Sequence, residues 1–143
     1  MIILDTGIFS LLELADSAEY KRLRMRIAQL DPPDTVATTV VTYEEQSRGR
    51  LATVKAAGTP GRLVQVYSHL RQHVLNYSKI PNLAFDDAAA DIAQNLSKSK
   101  LRMGTLDIRI GAIALAHGAL LLSRNLRDFQ RIPNLRVEDW TRP

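Results

Sequence analysis

The chain contains no cysteine among its 143 residues, and that single absence removes several chemistries at once. Disulfide scaffolds, thiolate zinc sites, iron–sulfur clusters and cysteine nucleophiles are all excluded. A cysteine-free composition is compatible with a reducing compartment. Long apolar runs are missing too. The most hydrophobic stretch, Ile110 to Leu122, carries His117 and Gly118 and is too short to cross a bilayer. The opening Met1-Ile2-Ile3-Leu4-Asp5 has no basic leader, so it does not read as a signal peptide, and the cytoplasm is the expected compartment. Neither a Walker loop nor a GxGxxG turn occurs, so nothing points to a nucleotide cofactor. Histidine is scarce, at three residues. His69 and His73 stand four apart without the acidic residue of a zincin motif, and a solvated helix face is the expectation for them.

What remains is ordinary for a globular protein: 45% hydrophobic and 24% charged residues. The length predicts one domain over residues 1–143. Nineteen basic against fifteen acidic residues leave a net charge of +4, which permits a polyanionic partner.

Short apolar runs alternate with helical patterns. Met1–Leu4 reads as a buried strand. Ile8–Leu30 reads as helical with a break at Asp16-Ser17, and Asp31-Pro32-Pro33-Asp34 as a loop. Val36–Val41, rich in valine and threonine, reads as a strand. Helices are expected over Thr42–Ala57 and Arg62–Asn76, the second with an apolar stripe of Leu63, Val66, Tyr67, Leu70 and Val74. A short strand is expected within Tyr77–Phe85. A helix capped by Asp86-Asp87 should run to about Lys98, and another from Leu106 to His117, closed by Gly118. Strands at Ala119–Ser123 and Leu135–Glu138 flank a helical turn at Leu126–Phe129. Strands separated by helices predict a three-layer α/β domain with a parallel sheet.

In such sheets, sites form beyond the carboxyl ends of the strands. Asp5 directly follows the first strand, Glu45 lies early in the helix after the second, and Asp107 opens the helix before the fourth. Asn125 and Asp128 follow that strand. Carboxylates gathered there repel unless a cation neutralises them, and an oxygen-only donor set suits Mg²⁺ or Mn²⁺. Such an ion activates water toward a phosphodiester. Each residue also has a structural explanation. Asp5 fits a helix cap, Thr42-x-x-Glu45 fits a capping box, and Asp107 fits a favourable dipole position. Asp128 has Arg124 and Arg131 as possible ion-pair partners. Among the basic groups, Arg124, Arg127 and Arg131 adjoin the acidic residues and are the best candidates to hold a phosphate backbone.

Four segments resemble the PIN-domain nucleases, in particular the VapC-type toxins of bacterial toxin–antitoxin pairs. They are Ile3-Leu4-Asp5-Thr6, Thr42 to Gly49, Gly104-Thr105-Leu106-Asp107 and Ser123 to Phe129, followed by Leu135 to Trp140. In the second, the glutamate four residues before Gly49 is Glu45, not Glu44. The resemblance implies a five-stranded parallel sheet, a Mg²⁺-dependent endoribonuclease acting on RNA, homodimerisation and a small antitoxin partner. It assigns Asp5, Glu45 and Asp107 to the metal, with Asp128 or Asn125 as the fourth polar group. Three positions depart from the pattern. Gly7 stands where asparagine is usual, and Asn125 where some members carry aspartate. Gln46 also replaces the usual apolar residue. Gly7 and Asn125 define a second reading, a catalytically weakened PIN fold that binds RNA or antitoxin. A phosphoacceptor signalling domain would need a lysine after its last long strand, and Ser123-Arg124-Asn125 offers none.

Overall fold

The computed structural model describes residues 1–14, 16–32 and 34–143. Pro33, in the expected loop, lies outside the described residues. The first strand, β1 (Ile2–Leu4), is followed by α1 (Thr6–Glu13) and α2 (Ala18–Ala28). Next come β2 (Val36–Thr39), α3 (Val40–Ala56), α4 (Pro60–Tyr77) and β3 (Asn82–Leu83). The chain ends with α5 (Asp87–Lys98), α6 (Thr105–Ala116), β4 (Leu120–Leu122), α7 (Leu126–Phe129) and β5 (Arg136–Glu138).

Five strands pair in the order β3-β2-β1-β4-β5, every neighbouring pair parallel. This is the expected α/β architecture. A parallel sheet covered on both faces needs apolar residues at every position of its central strand, and β1 supplies Ile2, Ile3 and Leu4, all buried. Ile3 joins one core with Val41, α5, α6, Phe129 and Ile132. Ile2 and Leu4 join another with Ile8, Phe9, Leu23, Tyr77 and Leu122. The α6 wall fits closely against the C-terminal segment at Gly111, where an added Cβ would stand 2.4 Å from Ile132 Cδ1.

Local chemistry sets most boundaries where the sequence predicts them. Ser17 accepts from the Tyr20 amide and starts α2 at the expected break. Asp86 caps α5 through the Ala89 amide, and Gly118 closes α6 at φ +56°. At two further boundaries a cap residue explains a difference from expectation. Val40 and Val41, expected in β2, already belong to α3, because Thr39 rather than Thr42 provides its cap. Likewise α4 begins at Pro60, the first-turn position that proline favours, with Thr59 as its cap. The apolar stripe of α4 also differs from expectation. Val66 is buried and Leu70 half-buried, whereas Leu63, Tyr67 and Val74 are exposed. The inward face of α4 instead carries His73 and Tyr77. Among the described residues, no helix is long and apolar enough to cross a membrane.

Candidate active site

The ladder aligns Leu4 with Leu122 and Leu122 with Glu138. Its next row is therefore Asp5, Ser123 and Asp139, at the carboxyl edge of the sheet. Two bonds carry the ladder into that row: the Asp5 amide donates to the Leu122 carbonyl, and the Ser123 amide donates to that of Glu138.

Asp5 is 7% exposed. Its Oδ1 accepts from the Ile8 amide at 2.7 Å, so it does cap α1. Its Oδ2 accepts from the Ser123 hydroxyl at 2.5 Å. The cap and the site are one carboxylate, whose two oxygens face different ways. Burial raises the pKa of Asp5, the Ser123 and Ile8 hydrogen bonds oppose that rise, and the charge of Glu45 adds to it.

Glu45 does not form the expected capping box. Thr39 Oγ1 accepts from the Thr42 amide at 3.0 Å and supplies the cap of α3. Glu45 Oε2 instead accepts from Thr6 Oγ1 at 2.6 Å, which ties α3 to the first residue of α1. Glu44 faces elsewhere and pairs with Arg48 at 2.6 Å.

Asp107 lies in the first turn of α6, whose Gly104 cap makes no side-chain hydrogen bond. Its pKa is raised to about 6, first by burial and then by the charges of Glu45, Asp5 and Asp128. The geometry therefore brings together carboxylates from the ends of β1 and from α3, α6 and α7. Asp128 takes part through a relay. Asn125 Nδ2 donates to Asp128 Oδ2 at 3.0 Å, and the Asn125 amide donates to Ser123 Oγ at 2.9 Å. Arg131 stands 3.8 Å from Asp128 and donates to the Arg102 carbonyl, so this arginine of the expected phosphate-binding trio is engaged by protein groups. Arg124 and Arg127 are exposed, and neither forms an ion pair among the described residues.

Thr6 and Ser123 were given no role of their own by the sequence reading. Their only signal is adjacency, each standing beside a motif residue. Gln46 also finds its explanation here. Its Nε2 donates to Ser10 Oγ and Glu13 Oε2, and its Oε1 accepts from Tyr77 Oη. An apolar residue at this position would leave those α1 and α4 groups without these bonds. The network lines a cavity of about 580 Å³ between α1, α3 and α4, beside the carboxylates rather than over them. His73, expected on a solvated face, is buried. It stacks on Tyr43 and shares a hydrogen bond with Ser47 Oγ.

Among the described residues, no three metal-binding side chains stand close enough to hold a metal ion as they are. The donor chemistry nonetheless fits a hard divalent cation. The facing groups are carboxylates whose charges raise the pKa of Asp5 and of Asp107, and an oxygen-only set of this kind suits Mg²⁺ or Mn²⁺.

The family model described as PIN domain matches residues 2–135. The chain belongs to the PIN-domain family. Among its relatives, Ribonuclease VapC1 of Haemophilus influenzae strain R2866 is 28% identical over 128 residues, covering 85% of this chain and 87% of that one. The tRNA(fMet)-specific endonuclease VapC of Salmonella typhimurium is 34% identical over 67 residues, 44% of this chain and 51% of that protein. A solved structure of VapBC-1 from nontypeable Haemophilus influenzae superposes with a TM-score of 0.77 at 26% identity, covering 99% of this chain and 100% of that one. In this PIN domain, the five-stranded parallel sheet is thus the family architecture.

Proposed function

We propose that this PIN domain is a metal-dependent endoribonuclease that hydrolyses RNA phosphodiester bonds in the cytoplasm, as the toxin of a toxin–antitoxin pair. The observation that carries the reading is the convergence on Asp107, whose pKa is raised to about 6 by burial and by the charges of three other carboxylates. Carboxylates perturbed by burial and by like charges gather at functional sites. The relatives named as ribonucleases supply the substrate class.

In this reading Asp5, Glu45 and Asp107 hold Mg²⁺ or Mn²⁺. The bound cation supplies Lewis acidity, lowering the pKa of a water and stabilising charge on the phosphodiester. The rest of the work belongs to the chain. Ser123 and the Ile8 amide fix the Asp5 carboxylate, and Thr6 fixes that of Glu45. Asn125 holds Asp128 in range through its side-chain amide, while Arg124 and Arg127 neutralise backbone phosphates. The functional unit is a homodimer, and the partner is a small antitoxin that places a basic side chain on the carboxylates.

The test is RNA cleavage with Mg²⁺ and with EDTA. Asp5→Asn and Asp107→Asn should abolish cleavage with the fold intact. Asp86→Asn, which keeps a capping side chain on α5, should cleave like the parent. Full activity in Asp5→Asn would refute the assignment. The weakened-module reading rests on Gly7 and Asn125, and predicts RNA or antitoxin binding without EDTA-sensitive cleavage.

A further inference from the structure

The sheet edge that carries the acidic centre also carries a cavity of the opposite character. Arg22 from α2, Arg124 after β4 and Arg142 after β5 line a space of about 430 Å³, together with Glu19 and Asp139. Asp139 is already engaged. Its Oδ2 pairs with Arg142 at 2.9 Å, and its Oδ1 accepts from both the amide and the hydroxyl of Thr141. Arg22 Nε donates to the Thr141 carbonyl at 2.6 Å, which holds that guanidinium at the cavity wall. Neither Arg22 nor Arg124 forms an ion pair among the described residues. Three guanidinium groups thus share the cavity with two carboxylates: Asp139 is taken by Arg142, and Glu19 lies within the field of both Arg22 and Arg124, which leaves one positive charge in excess.

The register gives the position of this cavity relative to the acidic centre. Asp5, Ser123 and Asp139 occupy one row across β1, β4 and β5, so Asp5 and Asp139 are two strand spacings apart, about 10 Å. Arg124 is the residue after Ser123, whose hydroxyl holds Asp5. A strand laid along this edge with one phosphodiester at the carboxylates passes a neighbouring phosphate to the arginines. Guanidinium groups arriving from three separate segments suit a tetrahedral phosphate, whereas a planar carboxylate is met by one fork.

We propose that the cavity lined by Arg22, Arg124 and Arg142 is an anion subsite for the RNA strand, taking a backbone phosphate outside the bond that is cut. The inference rests on the ribonuclease reading and extends it. The experiment is fluorescence anisotropy of a labelled single-stranded RNA in EDTA over a range of salt, with the full chain. Arg124→Gln and Arg22→Gln should each weaken binding and lower the salt slope by about 0.7, the value for one lost phosphate contact on a single strand. The double variant should lower it by about twice that. Arg24→Gln removes the same charge from the exposed side of α2 and should bind like the parent. Arg22→Gln also releases the tie to Thr141, so its thermal unfolding is recorded and Arg124→Gln serves as the independent arm. Parent-like slopes in Arg124→Gln and the double variant would overturn the subsite, as would an equal loss in Arg24→Gln. A parent that binds no RNA would overturn the ribonuclease reading with it, and Mg²⁺-dependent cleavage by the same preparation tells the two failures apart.

Discussion

Asp107 shows what one residue's surroundings do to its chemistry. Its pKa of about 6 lies above the ordinary 3.8. The folded state therefore holds its proton more tightly than the unfolded chain does, and stability from this group is full below about pH 4 and lost as pH rises through 6. In EDTA, the unfolding free energy of the parent should fall across that window. Asp107→Asn should flatten that part of the profile and leave the metal-free protein at least as stable at pH 7. Urea unfolding at a series of pH values measures both, and a steeper fall in the variant would contradict the account. Gly7 is the second informative residue. A Cβ there would stand 3.6 Å from Asp5 Oδ1, an ordinary contact, so the site has room for a side chain. Gly7→Asn places an amide donor beside Asp5, and hydrogen bonding favours the charged carboxylate. Cleavage titrated with Mg²⁺ should then reach half its maximum at lower metal concentration than in the parent.

At the scale of elements, α1, α3 and α4 are joined by polar bonds as much as by apolar packing. Gln46 contacts Ser10, Glu13 and Tyr77, and Asn76 Nδ2 donates to Glu13 Oε1. Gln46→Leu should cost about 1–3 kcal/mol through the partners it strands, half-buried Ser10 and Glu13 and buried Tyr77, read as a drop in thermal midpoint. Cleavage should fall with it, because Glu45 is the preceding residue on the same helix. This network also marks where the sequence stops being legible. Elements whose ends are set locally could be read directly, such as α5 from Asp86 and α6 from Gly118. The start of α3 could not, because Val40-Val41 prefer strand while the Thr39 hydroxyl captures the Thr42 amide. The α4 face was misread because a stripe of aliphatic residues is a prior, whereas the neighbours waiting on α1 and α3 are polar and aromatic. The acidic residues were legible by their place after strands. Their holders, Thr6 and Ser123, were not, since a hydroxyl gives no pattern until its acceptor is placed.

At the scale of the whole molecule, the acidic edge works against the fold that builds it. A divalent cation that binds only the folded state should stabilise the parent by about 1.4–2.7 kcal/mol at ten to a hundred times its dissociation constant. Asp107→Asn should lose most of that gain. Thermal unfolding with EDTA and with Mg²⁺ decides it, and a parent whose midpoint ignores Mg²⁺ would count against a metal centre on this edge.

The strand order carries a consequence for how the protein is made. The middle strand β1 leaves the ribosome before the other four strands, yet its flanking partner β4 begins at Leu120. Asp5 therefore waits for Ser123, a partner 118 residues away in the chain. Pairings of such separation form late, because loop closure must precede any gain from the contact. A growing polypeptide accordingly carries its aspartates apart from one another, with no assembled acidic edge, while it is still tethered to the RNA-rich machine that makes it. If the edge is the cleavage site proposed above, competence to cleave arrives only once Ser123 has emerged and paired with Asp5, which would give a co-expressed partner time to be present when the edge closes.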